Sequence, residues 1–422
     1  MRLILFILSI VVSRSFADMG DDLISKMDNS DYSLKKDTKY ILYDVNFGEG
    51  FNLRRDVYMR VANTIRLLRE AGHNYVLVLP PWGRLHHWRR LEVALAWALF
   101  FDTDSLNQYI PVIEFEDFLE DINYEPIDQV LYLQHYEEGW GTEFVRKYEE
   151  RKCLGGEKYY KKDKNGKLWQ GWFYSYETVR SAQFKCISIQ GDSQTLKNLI
   201  LSNYSDVTSI FIDRAETILH EHYGDKEYWR VRRSMRYSKM LISAVDHYRN
   251  VNLDSNDIDD KIEVISDWEK EKSRRNAIGG PYIGAHWRRK DFLYARQNEL
   301  PSIEGTAELL NKLCKKLNIR KIYLATDAPD DEVEQLEALL DGDNQLFRFI
   351  NDAKYNDGQV AIIDQYICAH ARYFIGSHES TFSFRIQEDR EILGFPANST
   401  FNRMCPDNKP KCEQPAKWKI VY

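Results

Sequence analysis

The sequence predicts an α/β protein of two domains, each an open, largely parallel sheet covered by helices, with a cleft between them. Three observations carry this expectation. The chain has 422 residues, beyond the size at which one hydrophobic core usually keeps growing. Its amino-terminal part runs strand, helix, strand, the order that builds a parallel sheet. A second alternation of the same kind starts after Gly279-Gly280-Pro281, where a stretch rich in Asp, Asn, Glu and Lys ends, and such a shift marks a boundary between compact units.

In chain order, Met1-Arg2 precedes an apolar run from Leu3 to Val12 broken only by Ser9, with small residues at Ser15 and Ala17. This pattern predicts a cleavable signal peptide over 1–17. Ser13-Arg14 interrupts the run well short of the roughly 20 apolar residues that a spanning helix needs, so no membrane insertion of the mature chain is expected. Tyr40 to Val45 reads as a buried strand and Phe47 to Asn52 as a glycine-containing turn. Val57, Val61, Ile65 and Leu68 then share one helical face that ends at Ala71-Gly72. Tyr75 to Leu79 is a continuous apolar strand stopped by Pro80-Pro81. Val112 to Phe115 and Ser209 to Ile212 are shorter strand candidates, and Tyr159 to Tyr176 receives no assignment. The second alternation comprises strands at 282–286, 321–326, 347–349 and 373–375, with helices near 304–317, 331–340, 359–370 and 381–390. The expected division is 18–260, 261–400 and a carboxyl-terminal segment 401–422 that packs back on the body.

With 58 basic and 65 acidic residues the net charge is −7, and the interspersed signs argue against nucleic acid as the main ligand. Cys153, Cys186, Cys314, Cys368, Cys405 and Cys412 are dispersed and even in number, which in a secreted chain reads as structural disulfides. Pairing in chain order is expected, Cys405 with Cys412 above all. Asn203 and Asn398 head N-glycosylation sequons.

Three segments at strand ends carry candidate chemistry, because ligands of open parallel sheets bind beyond the carboxyl ends of the strands. His286-Trp287-Arg288-Arg289-Lys290-Asp291-Phe292 offers three consecutive cations that can neutralise a diphosphate; a solvated charge cluster is the alternative. In Gly376 to Ser383, Ser380 can cap a helix while Thr381 and the first-turn amides face an anion; capping alone would also explain it. Gly48-Glu49-Gly50-Phe51-Asn52 lacks the third glycine of the dinucleotide fingerprint. Its flanking glycines leave Glu49 exposed as a candidate general base, a plain tight turn being the alternative. His86-His87, His220 with His222, and the Asp-x-Asp pairs at 102, 257 and 341 form no recognisable metal set, and no metal is expected.

Gly48 to Tyr58, Leu79 to Arg84 with His87-Trp88, Gly280-Pro281-Tyr282, His286 to Phe292, Val360 to Ile386 and Cys412-Glu413-Gln414-Pro415 together resemble the ordered signatures of the protein O-fucosyltransferases, in the branch that modifies thrombospondin type 1 repeats. The resemblance covers nearly all of the mature chain, although 181–276 matches only in outline and Trp287 stands where a smaller residue is expected.

The resemblance implies two Rossmann-like domains in the GT-B arrangement and an inverting transfer in the endoplasmic reticulum lumen. It implies GDP-β-L-fucose as donor, Ser or Thr of a folded, disulfide-bonded thrombospondin type 1 repeat as acceptor, and no cofactor or metal. Glu49 would be the general base and Arg288 the diphosphate clamp, with Asp291 supporting the arginine loop. Gly48, Gly50, Phe51, Asn52, His286, Arg288, Asp291, Asp364, Ser380, Thr381 and Phe382 would form the donor site. The amino-terminal domain would supply the acceptor surface. Competing readings are a fucosyltransferase for another folded repeat or a glycan, and a non-catalytic quality-control binder of such repeats.

Overall fold

The computed structural model describes residues 37–83, 85, 88, 89, 94–221 and 223–422. The expected signal peptide, Arg84, His86, His87 and His222 lie outside the described residues. Two sheets organise the chain. The first has nine strands, β1 (Lys39–Tyr43), β2 (Tyr75–Leu79), β3 (Val112–Glu114), β4 (Ile127–Gln134), β5 (Lys147–Glu150), β6 (Lys161–Lys162), β7 (Trp169–Gln170), β8 (Ser181–Gln190) and β9 (Ser209–Asp213). Their order is β3-β2-β1-β9-β4-β8-β7-β6, with β5 also on β8. The second sheet has five strands, β10 (Gly280–Trp287), β11 (Lys321–Thr326), β12 (Gln345–Phe347), β13 (Ala371–Gly376) and β14 (Asn402–Arg403), ordered β12-β11-β10-β13-β14 and parallel throughout.

The period-two geometry of a strand explains why apolar runs suffice here. Ile41 and Tyr43 enter the large core, while Tyr40 and Leu42 enter a second cluster on the opposite face. In β10, Ile283, Ala285 and Trp287 face one cluster and Tyr282 the other. Both faces are covered, so no alternation is needed. Helix α1 (Phe51–Glu70) buries Val57, Val61, Ile65 and Leu68 on the face their spacing predicts. It starts immediately after the Gly48-Glu49-Gly50 turn.

Further helices are α2 (Ser193–Asn203), α3 (Lys226–Ser234), α4 (Lys239–Leu253), α5 (Ile303–Leu317), α6 (Asp330–Ala338), α7 (Asp357–Ala369) and α8 (Thr381–Ile392). Helix α4 packs on α7 and β10 of the second sheet. The strand expected at 347–349 lies at 345–347 instead, in register with Lys321 to Tyr323; Arg348 and Phe349 leave the ladder and wall the central cavity. The unassigned stretch 159–176 is mostly a covering loop. Phe173 and Tyr174 are buried in left-handed backbone, and the Tyr174 hydroxyl donates to the Tyr43 carbonyl at 2.6 Å.

The large core runs without a break from α1 and β1 into α7, β13 and α8, and a buried polar seam crosses the same junction. Arg232 of α3 pairs with Glu388 at 2.5 Å and Asp389 at 2.6 Å on α8. Tyr228 donates to Glu388 at 2.6 Å and Tyr237 to Asp389 at 2.7 Å. The carboxyl-terminal segment crosses this region too, with Trp418 stacked on Tyr223 at 4.8 Å.

Two disulfides form, Cys153–Cys186 and Cys405–Cys412, with Cα separations of 5.2 and 5.5 Å. The third bridge expected from chain order does not: Cys314 and Cys368 are free and buried. They sit on α5 and α7, in the clusters on opposite faces of the second sheet, so the sheet separates their sulfurs. Asn203 and Asn398 are both exposed.

Candidate active site

In each sheet the strand order reverses beside the first strand, between β1 and β9 and between β10 and β13. Loops leaving the carboxyl ends at such a switch point diverge and open a crevice. The crevices face each other across a cavity of about 630 Å³. Gly48, Gly50, Phe51 and Asn52 line it from the first half; His286, Arg288, Asp291, Asp364, Ser380, Thr381 and Phe382 line it from the second. Residues widely separated in sequence are therefore gathered in one space.

The Arg288 guanidinium is held by two carboxylates, Asp291 at 2.6 Å and Asp327 at 2.8 Å, and lies 5.6 Å from the Phe292 ring centre. Its backbone N–H donates to the Ser377 hydroxyl at 2.9 Å, which ties the β10 loop to the β13 loop. Asp327 was not singled out from the sequence. The signal for it was position alone, directly after β11. The cationic trio splits: Lys290 joins the cavity wall, whereas Arg289 turns to Glu332 at 2.7 Å and over the buried Trp287 ring at 4.7 Å.

His286 is buried, with Nδ1 2.8 Å from the Ser383 hydroxyl and its ring stacked on Phe382 at 4.4 Å. Burial, then the neighbouring Arg288 charge, push its pKa down to about 3, so the imidazole is neutral at physiological pH. Ser380 occupies the N-cap of α8 in extended backbone, yet its side chain makes no capping hydrogen bond. The capping expectation therefore fails: Ser380 is among the cavity-lining residues and the first-turn amides of α8 are left without that partner.

Asp364 projects from α7 and accepts from the Tyr323 hydroxyl at 2.5 Å. Burial pushes its pKa up to about 7, against the opposing effects of that hydroxyl and Arg348. Burial raises Glu114 and, with Asp44 beside it, Asp213 to about 7 as well. Such acids keep their protons in the folded chain after the unfolded chain has released them near pH 4. Their contribution to stability is complete below that value and is lost as pH rises through about 7. Denaturant midpoints should thus fall over this interval, and Asp364→Asn should flatten the decline; an unchanged slope in the variant would show that Asp364 does not titrate there.

Glu49 itself is not among the residues lining the main cavity, although both flanking glycines are. Arg54 fixes its loop, donating through Nε to the Glu49 carbonyl at 3.1 Å and through Nη2 to Val45 at 3.1 Å. Among the described residues no hydrogen bond to the Glu49 carboxylate is present. Burial and then the Glu216 charge raise its pKa above the ordinary glutamate value, with Arg54, Arg60 and Arg214 opposing. A carboxylate so placed is partly desolvated and unshared. Asn46 and Phe47 of the same loop line a second pocket of about 340 Å³, walled by Tyr132, Tyr159, Trp172 and Tyr174. The Glu49 loop therefore borders both spaces. Of the histidines considered for metal, His220 contacts Asp56 at 3.0 Å.

Two Rossmann-like domains with a cleft at the carboxyl ends of both sheets define the GT-B arrangement. The family model described as GDP-fucose protein O-fucosyltransferase matches residues 40–393, and the chain belongs to that family. GDP-fucose protein O-fucosyltransferase 2 of Caenorhabditis elegans is 65% identical over 410 residues, covering 97% of this chain and 96% of the relative. The Homo sapiens protein of the same name is 46% identical over 394 residues, covering 91% and 90%. Among solved structures, POFUT1 in complex with GDP-fucose superposes with a TM-score of 0.57 at 13% identity, over 87% of this chain and 98% of that one, a likeness of fold.

Proposed function

We propose that this protein transfers fucose from GDP-β-L-fucose, with inversion, to a Ser or Thr hydroxyl of a folded thrombospondin type 1 repeat, in the endoplasmic reticulum lumen and without a metal ion. The observation that carries the reading is the convergence of the Gly48–Asn52 loop, Arg288, Asp364 and the Ser380–Phe382 turn on one cavity, in a chain 65% identical to a protein named GDP-fucose protein O-fucosyltransferase 2. The second half holds the donor and the first half presents the acceptor, with the aromatic pocket beyond Glu49 as part of the acceptor surface.

In the reaction the acceptor oxygen bonds to the anomeric carbon from the face opposite the diphosphate. The bond from that carbon to the β-phosphate oxygen breaks, and the hydroxyl proton passes to Glu49. A carboxylate is a weak base toward a ground-state alcohol, so proton transfer must accompany bond formation to an oxocarbenium-like carbon. Negative charge grows on departing GDP, where Arg288 stabilises it. That guanidinium is already oriented by Asp291 and Asp327, and the diphosphate must compete with them for it.

The test incubates purified protein with GDP-fucose and a disulfide-bonded repeat in chelator, and reads intact mass. One deoxyhexose per repeat is expected, with none on the reduced repeat, because a pre-ordered partner avoids the entropy cost of ordering at the interface. Equal kcat/KM on reduced acceptor would overturn the folded-repeat reading; activity lost in chelator and restored by manganese would overturn the metal-free one. Binding of the repeat with no mass gain would leave a quality-control binder instead.

A further inference from the structure

Asn52 belongs to α1 of the first half and is one of the residues lining the cavity. A carboxamide can present either an acceptor or a double donor, and here the choice is settled by two fully buried residues behind it. Arg55 Nη1 donates to Gln365 Oε1 at 2.8 Å. A guanidinium has no acceptor, so the atom it meets on Gln365 must be the oxygen. The other end of that amide is therefore nitrogen, and Gln365 Nε2 donates to Asn52 Oδ1 at 2.9 Å. Arg55 Nη1 approaches the same oxygen at 3.4 Å. With Oδ1 turned to these donors, the Asn52 Nδ2 group, which has no hydrogen-bond partner among the described residues, is what the side chain offers the cavity.

Arg55 cannot turn away to release this order. Its Nη2 donates to the Tyr237 hydroxyl at 3.0 Å, which in turn donates to Asp389 at 2.7 Å. The rings of Phe51, Phe101 and Tyr237 enclose the guanidinium at 5.7, 5.4 and 5.4 Å. Neither Arg55 nor Gln365 touches the cavity, and they come from opposite halves of the molecule. We propose that Arg55 and Gln365 are positioning residues: across the junction between the halves they lock the Asn52 amide as a hydrogen-bond donor toward an anionic oxygen of the nucleotide diphosphate. This rests on the donor-site reading above.

Gln365→Glu discriminates this role from a structural one. The carboxylate keeps its contact with Arg55 but can only accept, so it draws in Asn52 Nδ2 and turns Oδ1 toward the diphosphate. Calorimetric GDP titrations of wild type, Gln365→Glu, Asn52→Ala and the double variant, with thermal unfolding of each, read the effect. Gln365→Glu is expected to unfold at the wild-type temperature yet bind GDP roughly 10- to 100-fold more weakly, the span of a lost hydrogen bond to a charged group. In the Asn52→Ala background the same change should add no further loss, which separates a relay through Asn52 from direct repulsion by the new charge. Gln365→Met, which frees the amide without inverting it, should fall between wild type and Gln365→Glu and serves if the latter does not fold. Wild-type GDP affinity in both Gln365 variants, or an equal loss with and without Asn52, overturns the relay. Wild-type protein that fails to bind GDP removes the donor-site reading and this inference with it.

Discussion

Replacing Glu49 by Gln is expected to lower kcat by about 100- to 10,000-fold, the usual contribution of a general base, while GDP affinity stays near the wild-type value. Gln keeps the size of the side chain but cannot take the acceptor proton, and the loop itself is held by the backbone contacts of Arg54. The pH profile supplies a second signature. Because burial and Glu216 raise the Glu49 pKa, wild-type kcat/KM should climb with pH along a limb displaced upward from the ordinary glutamate range, and the variant should lose that limb. Arg288→Ala should damage a different step. It removes charge from the diphosphate, so GDP binding weakens, and kcat falls further if departure is stabilised more than the bound ground state. Near-normal kcat in Glu49→Gln, with the fold verified by circular dichroism, would make Glu49 a turn residue and place the base elsewhere.

Arg232→Ala is expected to destabilise the fold by about 3–5 kcal/mol, the cost of leaving a buried charge without its partner. Arg232 is 2% exposed in its side chain and faces Glu388 at 0% and Asp389 at 6%, so among the described residues truncation leaves Asp389 with only the Tyr237 hydroxyl and Glu388 with Arg385 as its remaining cation. Arg232→Met combined with Asp389→Asn should recover part of that loss, since it removes charge from both sides while Glu388 keeps Arg385. Urea midpoints at constant pH measure both. A single-variant loss below about 1 kcal/mol, the range of an exposed pair, would mean that water reaches the seam.

Sequence reading succeeded best where apolar patterning is local. The strands at 40–45 and 75–79 are short apolar runs closed by turn residues, and helix α1 shows its face by spacing. It failed where partners are remote. Helix α3 received no assignment: it buries Arg232 and Arg233, and the Glu388 and Asp389 that neutralise the first of them lie more than 150 residues later in the chain. Strand β8 is half exposed along its first half, so neither alternation nor a continuous apolar run announces it. The chain-order pairing of Cys314 with Cys368 failed because sequence order does not say on which face of a sheet each helix packs.

The sequence by itself determined the α/β class, the three strand-end segments at Gly48–Asn52, His286–Phe292 and Gly376–Ser383, and the family resemblance, because these reside in periodicity, turn residues and ordered motifs. Only the tertiary structure decided which charges act together. Packing turned Arg288 toward the cavity and Arg289 away from it, placed Asp327 against Arg288, and set Gln365 behind Asn52. The physical reason is that a charge or an amide acquires its role from the groups that share its low-dielectric surroundings. For these residues that company comes from the opposite strand, the opposite helix or the opposite half of the molecule.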